Sequence, residues 1–98
     1  MNRNKKDEIT EISMMLASKN DVSEIKNSMI ELLTKSELET LSKRWRILKM
    51  LIEGRTQRDI AKELQVSLCK VTRGSQILKK PKSTVAKYLT KEKNYEHE

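Results

Sequence analysis

Aromatic residues make up only 3% of this chain and phenylalanine is absent, so any core has to be built from Leu, Ile, Val and Met. Two glycines and one proline in 98 residues leave few places to break a helix, and the expectation is an all-helical chain. Cys69 is the only cysteine and His97 the only histidine. A structural zinc site takes about four protein ligands and a catalytic one about three, which one copy of the chain does not supply. A lone cysteine also excludes a disulfide within one chain, which fits a reducing cytoplasm. No apolar run approaches the ~18 residues of a membrane span. Residues 1–6 are basic, but the apolar residues after them are interrupted by charged and polar groups, so no signal peptide is expected.

What the chain does have is positive charge and helical periodicity. A formal net charge of +7 on 98 residues favours a polyanionic partner. A single domain of this size buries a modest core, and a dimer interface would add to it. Ile9, Ile12, Met15 and Leu16 recur at helical spacing and predict a first helix over about 7–18. Asp21 with Glu24 forms a candidate capping box for a second helix, striped by Val22, Ile25, Met29, Leu32 and Leu33. Thr34 with Glu37 is another box, opening a long helix over about 35–53. Its apolar positions Leu38, Leu41, Trp45, Leu48 and Ile52 form a coiled-coil-like seam, widened by Ile47 and Leu51. A stripe that wide can face both its own subunit and another, which makes Trp45 a core or dimer residue. Gly54 is placed to end this helix in a left-handed conformation.

The next stretch is the most specific. Thr56 with Asp59 opens a short helix whose Ile60, Ala61 and Leu64 share one face; Val66 falls in a turn, and Val71 enters from a helix capped by Ser67. This is a helix-turn-helix pattern, whose second helix lies in the major groove of DNA. Gln65 stands where glycine is common, at a strain of roughly 1 kcal/mol if its backbone is left-handed. Pro81 stops the second helix at about Lys79 or Lys80, and a last short helix follows with Val85, Tyr88 and Leu89 as its contacts. The organisation expected is therefore one domain over 1–98, with a helical dimerisation part at about 7–54, the helix-turn-helix at about 56–80 and a C-terminal helix at about 81–92. The two ends, about 1–6 and 93–98, are expected to fray.

From Ser67 to Tyr88 there are six basic residues and no acidic one. A charge run alone is usually a solvated face, but here it coincides with the reading helix. Such a helix reads bases mostly through its N-terminal residues. Leu68 and Cys69 suit the methyl group of thymine, while Lys70 suits guanine or phosphate. Thr72, Gln57 and Arg58 complete the candidate base-reading set. Candidate phosphate contacts are Lys43, Arg44, Arg55, Lys79 and Lys80, on double-stranded DNA as partner.

Leu33-Thr34, Glu37, Leu41-Ser-Lys-Arg-Trp-Arg-Ile47, Gly54, Thr56-Gln-Arg58 and Val71-Thr-Arg-Gly-Ser75 together resemble the Trp repressor family over about residues 20–92, with one residue fewer near 54–56. The first helix matches in pattern only. The resemblance implies an all-α fold of six short helices forming an intertwined homodimer with two projecting helix-turn-helix heads. It also implies an L-tryptophan co-repressor, with Arg44 and Arg73 sandwiching the indole and one of them taking the carboxylate. Thr34, Gly74 and the backbone carbonyls of Glu31 and Leu33 match the rest of that pocket. Guanidinium planes do stack on aromatic faces and bind carboxylates. Ile77 departs from the family's small or hydroxyl residue; stiff and larger, it either fills the pocket or changes the ligand accepted.

Three readings follow. The first is a repressor that binds a palindromic operator as a homodimer, with or without gating by a small-molecule effector. The second is a helical interaction or assembly protein whose helix-turn-helix does not read specific DNA. The third, an enzyme, lacks a nucleophile–base pair, a metal cluster and a glycine-rich phosphate loop, so no catalytic residue and no cofactor beyond the co-repressor is expected.

Overall fold

The structure, a computed structural model, describes residues 5–96. Six helices follow one another: α1 (Lys5–Ala17), α2 (Val22–Leu32), α3 (Lys35–Ile52), α4 (Gln57–Leu64), α5 (Leu68–Lys79) and α6 (Thr84–Glu96), with no strand among the described residues. The described residues fall into two compact units, divided between Leu38 and Glu39.

In the first unit the helix boundaries follow the sequence signals, with one local difference. The Asp21 carboxylate accepts from the backbone N–H of Ser23 at 3.0 Å, not from that of Glu24, so the cap bonds one residue earlier than the expected box requires. The Thr34–Glu37 box is reciprocal: Thr34 Oγ1 accepts from the Glu37 N–H at 3.1 Å, and Glu37 Oε1 accepts from the Thr34 N–H at 2.8 Å. None of the described side chains from Asp7 to Leu38 is buried. Ile9, Met14, Val22, Ile30 and Leu32 are all exposed.

The second unit holds the core. Ile47 and Met50 of α3 pack with Ile60 of α4 and Val71 of α5, and Leu51, Ala61, Leu64 and Val66 close around them. The predicted helix-turn-helix face, Ile60 to Val71, is therefore a packed one. Leu48 and Leu89 are also buried. Met50 joins this core although it lies off the predicted seam, whose Leu41 and Trp45 remain exposed. Trp45 lies against Tyr88 of α6 instead, ring centroids 6.1 Å apart and planes tilted by 40°.

α3 and α4 end in the same way. Arg55 N–H reaches back to Met50 O and Gly54 N–H to Leu51 O; Val66 N–H reaches Ala61 O and Gln65 N–H reaches Lys62 O. This is the Schellman pattern, which needs a left-handed residue after the last turn. Gly54 supplies φ 89° for α3 and Gln65 supplies φ 55° for α4. Glycine adopts such values without a Cβ clash, whereas glutamine carries a cost of about 1 kcal/mol. In return, Val66 is turned inward against the core.

α6 runs 13 residues from Thr84 to Glu96, past the end near residue 92 that the sequence suggested. Its start is set by Ser83, whose Oγ accepts from the Ala86 N–H at 3.0 Å. Of the ends expected to fray, residues 5–6 and 93–96 instead lie within α1 and α6, while residues 1–4, 97 and 98 lie outside the described residues.

Candidate nucleic-acid interface

Two caps aim the reading unit. Thr56 Oγ1 accepts from the Asp59 N–H at 3.1 Å and starts α4; Ser67 Oγ accepts from the Lys70 N–H at 3.2 Å and starts α5. Between them the left-handed Gln65 reverses the chain, and α4 packs on α5. The first turn of α5 then carries Leu68, Cys69 and Lys70, all three exposed, and Leu68 is 47% exposed despite being apolar. Arg58, Arg73, Lys79 and Lys80 are exposed as well, as are Lys43 and Arg44 on α3.

Other candidates have protein partners. Thr72 Oγ1 donates to Gln57 Oε1 at 2.9 Å in a half-buried bond between α5 and α4. That bond occupies the Gln57 oxygen and leaves its amide protons free. The Arg55 guanidinium is paired with the Glu63 carboxylate. This hydrogen bond raises the Arg55 pKa, as do the charges of Glu63, Asp59 and Glu53, while burial opposes them. The turn after α3 is thus locally acidic around its arginine, unlike α5.

Gly74 is buried within α5 where that helix crosses α3. A Cβ there would stand 2.9 Å from Ile47 Cγ2 and 3.4 Å from both Leu48 Cδ2 and Leu51 Cδ1. Its role in the fold is close helix packing. Of the other pocket candidates in this unit, Ile77 is half-buried and Arg73 exposed. In the first unit, Glu31 and Thr34 are exposed and Leu33 half-buried. Among the described residues no group of three or more His, Cys, Asp or Glu side chains is placed to hold a metal ion.

Sequence reasoning missed the partners of Gln57 and Arg55. Thr72 is 15 residues from Gln57, and Glu63 is eight from Arg55 across a turn. No local pairing rule connects such positions.

A packed helix–turn–helix whose second helix is acid-free and exposes its first turn is the architecture of the helix-turn-helix DNA-binding class. A family model described as Trp repressor protein matches residues 7–93. The chain belongs to the Trp repressor family, a regulatory family of DNA-binding transcriptional repressors rather than of enzymes. The searches of curated proteins and of solved structures gave no match. Among the described residues no helix is long and apolar enough to cross a membrane.

Proposed function

We propose that this chain is a cytoplasmic, homodimeric repressor that recognises a palindromic operator through Arg58, Leu68, Cys69 and Lys70. The observation that carries this reading is the exposed first turn of α5, with apolar Leu68 left uncovered beside cationic Lys70. A side chain such as Leu68 gains nothing from water but finds an apolar partner in a thymine methyl. Two such heads about 34 Å apart would meet successive major grooves. Dimerisation draws support from the first unit, whose described side chains include none that is buried and several large apolar ones that are exposed.

The test is selection from a random duplex library, followed by binding to the selected palindrome and to its scrambled version. A preference for the palindrome is expected. Equal binding would favour the assembly-protein reading.

The effector in this proposal is L-tryptophan, stacked between Arg44 and Arg73. Calorimetric titration should then give one ligand per subunit, and Arg73→Ala should abolish it while the dimer persists in sedimentation. If Ile77 obstructs the ligand, Ile77→Ser strengthens binding. Absence of heat at several temperatures would leave a repressor that is ungated or gated by a different ligand, with Ile77 the first residue to test.

A further inference from the structure

The turn between α5 and α6 carries a residue that the recognition pattern does not call for. Lys80 O accepts from the Ser83 N–H at 3.1 Å, closing a four-residue turn with Pro81 in second place and Lys82 in third. Lys82 has φ 79°, the value of the third residue in a type II turn. Glycine is the residue of least strain there. A lysine instead puts a third cation beside Lys79 and Lys80, and all three are exposed. Among the described residues none of the three has a carboxylate partner.

The length of α5 decides what this turn can meet. Twelve residues at about 1.5 Å each give a helix about 18 Å long, whereas the major groove is about 12 Å wide. If the first turn of α5 reads base edges, its last turn and the residues after it reach past the groove to the flanking sugar-phosphate backbone. We propose that Lys82 is a DNA phosphate-binding residue, and that the α5–α6 turn extends the interface beyond the reading helix. The proposal rests on DNA reading by α5.

The experiment measures binding of a fluorescein-labelled random-sequence DNA duplex between about 50 and about 200 mM salt for the full-length wild type, Lys82→Gly, Lys82→Gln and Lys82→Arg. One lost phosphate contact makes the slope of log K against log salt shallower by about 0.9 for each head engaged. If that contact contributes nothing at about 1 M salt, affinity falls roughly 4-fold at 200 mM and roughly 15-fold at 50 mM per head. Lys82→Gly and Lys82→Gln should both show this loss, and Lys82→Arg should not. Lys82→Gly should also melt no lower than wild type, since glycine relieves the positive φ; a structural role for the lysine would move stability the other way. Unchanged slopes in the Gly and Gln variants would overturn the proposal, as would an equal loss in Lys82→Arg. A wild type with no salt-dependent binding would instead remove the DNA reading itself, and this proposal with it.

Discussion

Replacing Gly74 by alanine sets two effects of known sign against each other. In a helix interior, alanine is favoured over glycine by about 1 kcal/mol, so on local grounds the variant should be more stable. The packing opposes it. The added methyl group would lie 2.9 Å from Ile47 Cγ2, well inside van der Waals contact. That atom is the branch methyl of a β-branched side chain within a helix, whose χ1 has one strongly preferred setting. The two leucine methyls at 3.4 Å can shift by small rotations; Ile47 cannot, and α5 has to move away from α3. Overpacking of this kind costs about 1–3 kcal/mol, leaving a net loss of roughly 1 kcal/mol and a melting temperature lower by about 4–8 °C. The assay is thermal and urea unfolding followed by far-UV circular dichroism, at one fixed protein concentration. In an Ile47→Ala background the clashing atom is absent, and Gly74→Ala should become neutral or stabilising. The double-mutant cycle should therefore show a coupling of about 1–3 kcal/mol. A higher melting temperature for the single variant, or an additive cycle, would refute the close-crossing argument.

Gln65→Gly relieves the left-handed backbone after α4 and should raise the melting temperature by a few degrees, read by the same unfolding assay. Thr72→Val removes the bond to Gln57 while keeping the side-chain shape, and should cost about 0.5–1.5 kcal/mol in urea unfolding. Glu63→Ala removes the acceptor that holds the Arg55 guanidinium, and the salt dependence of DNA binding should steepen by about 0.9 per head if Arg55 then reaches a phosphate; an unchanged slope would place Arg55 outside the DNA footprint.

The helix order was legible because its signals are local. Thr34, Thr56 and Ser67 each form the cap that their position predicts, and Gly54 stands at the left-handed end of α3. The face made by Ile60, Ala61, Leu64, Val66 and Val71 was legible because helical spacing and the turn fix it together. What stayed hidden is pairing between distant residues. Gly74 reads as one helical glycine until α3 is seen crossing it, and Arg55 reads as a free cation until Glu63 is found beside it. Met50 joined the core because it stands three residues from Ile47, on the helix face that Ile47 and Leu51 share rather than on the seam. Asp21 differed by one residue because a side-chain cap can bond either of two adjacent N–H groups.

The Trp45–Tyr88 pair has an optical consequence. Trp45 is the chain's only tryptophan, and its ring centre lies 6.1 Å from that of Tyr88. At that separation light absorbed by Tyr88 is passed to Trp45 and emitted at the longer wavelength. Tyrosine-sensitised emission is thus a built-in gauge of whether α6 is seated on α3, separate from the helix content that circular dichroism reports. Loss of that emission while helicity persists would mark release of α6 as a step of its own, in the unlabelled protein.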